Sequence, residues 1–102
     1  MASAKSSVRL LPSAERDLVE AVAYLAAESP AASLTLAEKF EAALSRLSAN
    51  PRLGRVPEDA RLSGLGYRFI VLEDFLVFYT VDPGLVLVHR IVHGARDLRR
   101  IL

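Results

Sequence analysis

Three apolar runs in the last third of the chain are joined by connections so short that they restrict the fold to hairpins. The runs are YRFIVL at 67–72, FLVFYTV at 75–81 and LVLVHRIVH at 85–93. Their β-branched and aromatic residues favour strands, and Glu73-Asp74 and Asp82-Pro83-Gly84 between them are typical turn sequences. The sequence therefore predicts a three-stranded antiparallel meander.

Helical spacing of apolar residues predicts a first helix over 13–28. Leu18, Val22 and Leu25 recur on one face, with Ala14 and Ala21 beside them. Ser13 is the predicted N-cap, followed by acidic residues in the first turn, where the helix dipole favours negative charge.

A second helix is predicted from Ser29-Pro30 to about Asn50-Pro51. Serine is a favoured N-cap and proline a favoured first helical residue. Asn50-Pro51 marks the end of this helix. The predicted buried stripe of this helix consists of Leu34, Ala37, Phe40, Leu44 and Leu47.

The meander and the helical hairpin each have an apolar face that needs cover. Laying the helices on the sheet covers both. VRLL at 8–11, stopped by Pro12, is predicted to be a short strand added to a sheet edge. The predicted fold class is α+β, with an N-terminal strand and a helical hairpin packed on a mainly antiparallel sheet of three to four strands. The segment 51–66 is predicted to be a long loop.

Length and composition predict one domain over residues 1–102, with residues 1–7 as a flexible N-terminus. The chain has 102 residues, of which 52% are hydrophobic, enough for one core. No apolar run reaches the roughly 18 residues of a membrane span, and no secretory signal is visible, so a cytoplasmic location without membrane partners is expected. The chain has no cysteine, which excludes disulfides and thiolate chemistry.

Basic residues are concentrated in the second half of the chain. Residues 51–102 contain eight arginines, no lysine and six acidic residues, whereas residues 1–50 contain five basic and six acidic residues. Arginine favours forked contacts to carboxylate or phosphate. A genome that prefers arginine codons would produce the same pattern, so composition alone leaves both explanations open.

No enzymatic or metal site is predicted from the residue pattern. His89 and His93 are expected on one face of the last strand, about 13 Å apart, too far to share a zinc ion. The acidic pairs at 58–59 and 73–74 are expected to be solvated, and SGLG at 63–66 follows no strand and opens no helix. No serine lies in a nucleophile elbow. We expect no cofactor, no metal ion and no catalytic residue.

The order β-α-α-β-β-β resembles the RelE/ParE superfamily of toxins from bacterial type II toxin–antitoxin systems. The resemblance covers residues 8–102 and rests on NPRLGR at 50–55, FLVFYTV at 75–81 and HGARD at 93–97. It implies a growth-inhibiting toxin, associated with plasmid or chromosome maintenance and neutralised by an antitoxin in a hetero-oligomer.

The superfamily has two branches with different chemistry. RelE-like members are ribosome-dependent mRNA endonucleases, in which basic residues on the sheet stabilise charge and a C-terminal Tyr or His assists proton transfer. The family's catalytic positions match Arg68, Ile70, Leu76 and Leu102 here, and only Arg68 and Arg96 remain as basic matches. The chain is therefore identified with the ParE-like branch, which implies inhibition of DNA gyrase and a ParD-like antitoxin.

The alternative is a ribosome-dependent endoribonuclease that uses His93 and Arg96. A purely structural binding module is a third hypothesis. Under the ParE-like reading, the predicted target-binding residues are His93, Arg96, Asp97, Arg99 and Arg100. Further basic contacts are predicted at Arg52, Arg55, Arg61 and Arg68.

Overall fold

The structure is a computed structural model that describes residues 5–94 of the chain. Its elements are β1 (Ser7–Leu10), α1 (Pro12–Glu28), α2 (Pro30–Ala49), α3 (Ala60–Gly64), β2 (Arg68–Leu72), β3 (Phe75–Asp82) and β4 (Leu85–His93). The strands form one sheet in the order β1-β4-β3-β2. β2, β3 and β4 are antiparallel, whereas β1 runs parallel to β4 at the edge. The predicted α+β class, meander and edge strand are confirmed.

The start of the described chain is held by hydrogen bonds. The backbone N–H groups of Ser6 and Ser7 donate to the carbonyls of Ser48 and Gly84, at 3.0 and 2.9 Å. The Ser48 hydroxyl donates back to the Ser6 carbonyl. Residues 6 and 7 of the segment predicted to be flexible are thus part of the fold, and β1 begins one residue earlier than predicted.

The helical hairpin covers one face of the sheet, which we call the helix face. On α1 the predicted stripe is confirmed, with Ala14 and Ala21 buried in the core. On α2 the stripe is only partly as predicted. Leu34 and Ala37 are exposed, and the buried residues of α2 are Leu36, Phe40, Ala43 and Leu47. Leu34 and Leu36 lie about 200° apart around the helix axis, so only one can face the sheet, and hydrophobicity alone does not distinguish them.

α1 covers the part of the β4 edge that β1 leaves unpaired. The helix begins at Pro12 with Leu11 as N-cap, so the prediction of Ser13 as N-cap is wrong. The Ser13 hydroxyl donates instead to the His89 carbonyl at 2.7 Å. The Asp17 carboxylate accepts from the backbone N–H of Ile91 at 2.9 Å. Side chains of α1 therefore satisfy backbone groups that a strand would otherwise pair.

The opposite face of the sheet, the outer face, carries a second, smaller apolar cluster. Leu62 of α3 packs there with Phe78 and Val92, all buried. The segment 51–66 was predicted as loop throughout, but it contains α3. Asp59 is the N-cap of this helix, accepting from the N–H groups of Arg61 and Leu62. This carboxylate was predicted from the sequence to be merely solvated, whereas it has a structural role as a helix cap.

A β-bulge interrupts the alternation of β4. Val88 pairs with Tyr79 and Arg90 with Phe78, so His89 is the extra residue. Beyond the bulge, the side chains change faces. His89 bonds Thr80 on the outer face, whereas the His93 ring contacts Phe75, which packs against the core of the helix face. The prediction that the two histidines share a face is wrong, because it assumed regular alternation.

Candidate functional site

The outer face is the face of the sheet that α1 and α2 leave uncovered, and α3 packs on part of it. The positions matched to the catalytic residues of RelE-like enzymes divide between the two faces. Arg68 pairs with Tyr79 and Ile70 with Val77, and all of these except Arg68 belong to the core of the helix face. Leu76 lies in the outer-face cluster. The outer face is thus lined mainly by apolar side chains, including the exposed Val71.

His89 lies on the outer face, at the bulge of β4. Its Nε2 lies 2.9 Å from the Thr80 hydroxyl oxygen and its Nδ1 lies 3.3 Å from that of Tyr67. The Tyr67 ring also meets the imidazole edge on. Burial lowers the pKa of His89, because charging a desolvated ring is costly. Both ring nitrogens are engaged, so the neutral imidazole is held as a structural hydrogen-bonding group.

Only one of the predicted target-binding residues of the C-terminus lies in the described part of the chain. His93 is exposed at the end of β4, and its ring centroid lies 5.8 Å from that of Phe75 in an edge-on arrangement. Arg96, Asp97, Arg99 and Arg100 lie outside the described residues. Their role in target binding stays a prediction.

The predicted basic loop is fixed by a buried tyrosine. The Tyr79 hydroxyl donates to the Pro51 carbonyl at 2.9 Å and accepts from the Gly54 N–H at 2.7 Å. Burial raises the pKa of Tyr79, so the neutral hydroxyl persists. A Cβ on Gly54 would lie 2.6 Å from this hydroxyl and 2.7 Å from the Phe69 carbonyl oxygen. The glycine of NPRLGR is therefore required by close approach to Tyr79 and β2.

The loop also pairs with the β2 edge of the sheet. Arg55 and Phe69 exchange two backbone hydrogen bonds of 2.9 Å each. The Arg68 guanidinium donates to the Gly54 carbonyl at 2.9 Å. Loop and strand thus hold each other in register, and the backbone from Pro51 to Arg55 is set against the sheet.

Two of the four predicted basic residues of this region come together. Arg52 and Arg68 line one cavity of about 250 Å³, with Ser63, Gly66 and Tyr67 in the same wall. Arg55 and Arg61 are exposed but do not line it. We call this space the Arg52–Arg68 cavity.

A larger cavity, of about 420 Å³, lies between α1 and the end of β4. Tyr24, Phe75 and His93 contribute rings to it, and Asp17 and Glu20 contribute carboxylates. At its margin, Arg90 makes a forked ion pair with Asp17, with N···O distances of 2.7 and 3.1 Å. The hydrogen bond from Asp17 raises the pKa of Arg90. Neither this pair nor the contacts of Tyr79 and His89 were identified from the sequence. The glycine within NPRLGR was a local signal of the Tyr79 contact.

Two further kinds of feature are absent from residues 5–94. No cluster of three or more histidine, aspartate or glutamate side chains there could hold a metal ion. No helix in this part is both long enough and apolar enough to cross a membrane.

Comparison with known families and structures places this geometry among toxins. The model of the ParE toxin of type II toxin–antitoxin systems matches residues 8–98. A chain of the chromosomal ParDE toxin–antitoxin system of Pseudomonas aeruginosa superimposes with a TM-score of 0.68 and 23% identity, covering 89% of this chain and 98% of that one. A chain of the toxin–antitoxin complex RelBE2 of Mycobacterium tuberculosis gives a TM-score of 0.61 and 23% identity, covering 90% and 94%. No curated protein sequence matches the chain.

Proposed function

The chain belongs to the ParE toxin family of type II toxin–antitoxin systems, and from this premise we propose that it inhibits DNA gyrase and is neutralised by a ParD-like antitoxin. Membership makes the chain a toxin of the ParE/RelE superfamily. The choice of target is a separate question, because this fold resembles both a ParDE structure and a RelBE2 structure. It has to be argued from the side chains.

The apolar outer face is the observation that carries the gyrase proposal. Cleavage of RNA by its own 2′-hydroxyl needs groups that stabilise charge and transfer protons at one phosphate. On the outer face, Phe69, Leu76 and Phe78 occupy the middle of the sheet. Arg68 lies instead beside Tyr79, where it bonds the Gly54 carbonyl. The described part of the chain therefore supports a toxin that acts by binding.

The imidazole of His89 does not replace the missing catalytic groups. A general base needs a nitrogen within reach of the substrate hydroxyl. Both nitrogens of His89 lie within hydrogen-bond distance of side chains of the fold. This arrangement supports a structural role for His89 and leaves His93 and Arg96 as the residues of the endoribonuclease alternative.

Paired assays with purified components test the target. We expect the toxin to inhibit supercoiling by gyrase and to accumulate cleaved DNA, while mRNA on programmed ribosomes stays intact. In cells, induction should produce double-strand breaks before protein synthesis stops. Ribosome-dependent cleavage of mRNA, with gyrase unaffected, would instead establish the endoribonuclease. The proposal also places the protein in the bacterial cytoplasm, where gyrase acts.

The C-terminal basic segment supplies the residue-level test of gyrase binding. We propose that Arg96 makes a forked contact with the target, because guanidinium geometry suits carboxylate or phosphate. Arg96→Ala should abolish gyrase inhibition while antitoxin binding survives, whereas His93→Gln should retain inhibition. If Arg96→Ala inhibits gyrase as well as the parent does, the contact lies elsewhere, and Arg52, Arg55 and Arg61 are the next candidates.

The antitoxin surface is proposed at the larger cavity and the adjoining face of α1. Both solved structures named above are described as toxin–antitoxin systems or complexes. Here Tyr24 of α1 is 65% exposed and lines the cavity, and Val19, which is 68% exposed, lies further round the same helix. Exposed apolar side chains beside a groove suit an amphipathic helix. Tyr24→Glu should weaken the complex with the antitoxin in size-exclusion chromatography, whereas Val71→Glu, on the outer face, should not.

A further inference from the structure

The Arg52–Arg68 cavity carries two positive charges, and no acidic residue of the described segment 5–94 lines it. Arg52 comes from the loop after α2 and Arg68 from the start of β2, and the remaining lining residues are uncharged. Arg52 is exposed, whereas Arg68 is half-buried. We propose that this cavity binds a phosphate group, with the two guanidinium groups as its ligands.

The first argument is that the described residues provide no ionic partner for either arginine. Within residues 5–94 the ion pairs are Lys39–Glu73 and Arg90–Asp17, so neither Arg52 nor Arg68 faces a carboxylate there. The hydrogen bond of Arg68 is to a neutral acceptor, the Gly54 carbonyl. For the half-buried Arg68, a partly desolvated guanidinium without a counter-charge is costly, and an anionic ligand would offset that cost.

The second argument concerns the shape of the anion. One guanidinium can satisfy a carboxylate, because two N–H groups match its two oxygens in one plane. Arg52 and Arg68 belong to different elements and line the same cavity, so together they offer more than the one planar fork that a carboxylate matches. A tetrahedral phosphate has oxygens in several directions and suits such a pair.

The third argument is that the cavity is held in place before any ligand arrives. Tyr79 bonds both Pro51 and Gly54, the residues that flank Arg52 and Leu53. Arg68 in turn bonds the Gly54 carbonyl, so the loop and the strand that carry the two arginines are tied together. A preformed site loses less conformational entropy on binding.

The phosphate could come from a DNA backbone or from a free phosphate ion, and the experiment separates these sources. Binding of a short fluorescein-labelled DNA duplex is followed by fluorescence anisotropy, and inorganic phosphate is tested by thermal shift. Neither measurement contains gyrase, so its outcome is independent of the outcome of the supercoiling assay. Sodium polyglutamate is the competitor that tests for carboxylate binding.

The decisive variant is Arg52→Gln, because Arg52 is exposed and makes no hydrogen bond on which the described fold depends. Its matched control is Arg9→Gln, with the same charge change on β1, at the other edge of the sheet. We expect Arg52→Gln to weaken DNA binding about five- to tenfold and to reduce the slope of log K against log salt by about 1. Arg9→Gln should change the affinity less than about twofold. Arg68→Lys, which keeps the charge but not the fork, should also weaken binding.

Each remaining outcome bears on the proposal. If DNA does not bind but inorganic phosphate raises the Tm of the parent and not of Arg52→Gln, the site takes free phosphate and the proposal stands. Equal losses in Arg52→Gln and Arg9→Gln would show general charge attraction and overturn it. Polyglutamate that displaces DNA at equal charge concentration would also overturn it, because the cavity would then be a carboxylate receptor.

Discussion

The two sides of the sheet, β4 beyond the end of β1 on one side and β2 on the other, carry arginines in opposite electrostatic situations. At the β4 edge, Arg90 is matched by Asp17, which also takes the Ile91 N–H. At the β2 edge, Arg68 bonds a neutral carbonyl and shares a cavity with Arg52. Each edge is covered by a segment other than a strand, α1 in one case and the loop 51–55 in the other. The difference indicates that the first arginine serves the fold, whereas the second is available for a ligand.

The largest expected effect on stability tests the ion pair between Asp17 and Arg90. Asp17→Ala would leave the Arg90 guanidinium and the Ile91 N–H without the acceptor that Asp17 provides. Side chains of this pair are only 26% and 13% exposed, so we expect a loss of about 3 kcal/mol in the free energy of unfolding, measured with urea. Glu41→Ala, an exposed change on α2, should cost about 0.5 kcal/mol or less. Equal effects of the two would show that the pair contributes little.

The next effect on stability tests how closely the loop 51–55 packs against β2 and Tyr79. Gly54→Ala should cost about 2 kcal/mol, because the new methyl group would collide with the Tyr79 hydroxyl and the Phe69 carbonyl. Gly64→Ala is the control, since a Cβ there meets nothing within 4 Å and alanine favours the helix. Thermal denaturation should show a lower Tm for the first variant and an unchanged or higher Tm for the second. A Gly54 variant as stable as the parent would contradict the close packing of loop and sheet.

A smaller effect separates the roles of the two arginines. Arg68→Gln should lower the free energy of unfolding by about 1 kcal/mol, because it removes one part-buried hydrogen bond that is not forked and has no charged acceptor. Arg90→Gln removes a forked, charge-assisted contact with Asp17 and should cost about 2 kcal/mol. The comparison fails if Arg68→Gln is the more destabilising of the two. Arg68 would then be a structural residue like Arg90.

The smallest effect is a pH dependence at the bulge between the two edges. The pKa of His89 is lowered by burial from its ordinary value of 6.5, so the folded state binds this proton less readily than the unfolded chain. Stability from the neutral ring is therefore complete above about pH 6.5 and is lost as the pH falls below that value. Urea midpoints at about pH 7.5 and about pH 5.5 should show this loss in the parent and a smaller one in His89→Gln. Identical pH dependence in both proteins would exclude His89 as the cause.

Much of the fold could be predicted because its signals are local. The meander follows from the apolar runs and turn residues between 67 and 93, and α1 follows from the spacing of Leu18, Val22 and Leu25. The errors occurred where neighbours in space override neighbours in sequence. Ser13 has the residue type of a cap, but its hydroxyl bonds the His89 carbonyl, on a strand edge that local sequence does not describe.

The sequence predicted which basic residues belong to the candidate site, but not which of them lie together. Arg52 and Arg68 were among the predicted basic contacts, as were Arg55 and Arg61, and all four appear equivalent in the sequence. Only the packing of the loop against β2 brings the first two into one cavity. Similarly, the sequence pattern indicates only that Tyr79 is an apolar strand residue. Its hydroxyl nevertheless binds Gly54 of the loop, 25 residues away in sequence.

The sequence by itself thus determined the order, type and approximate bounds of the main elements, and the resemblance to a toxin superfamily that the family comparison bears out. Periodicity, turn residues and caps express interactions within a few residues, so they can be read from the chain directly. Tertiary structure decided which arginine is paired with an acid, where β4 bulges and which face of the sheet α1 and α2 cover. Asp17 and Arg90 are 73 residues apart, and such pairings depend on the packing of whole elements, which no local pattern encodes.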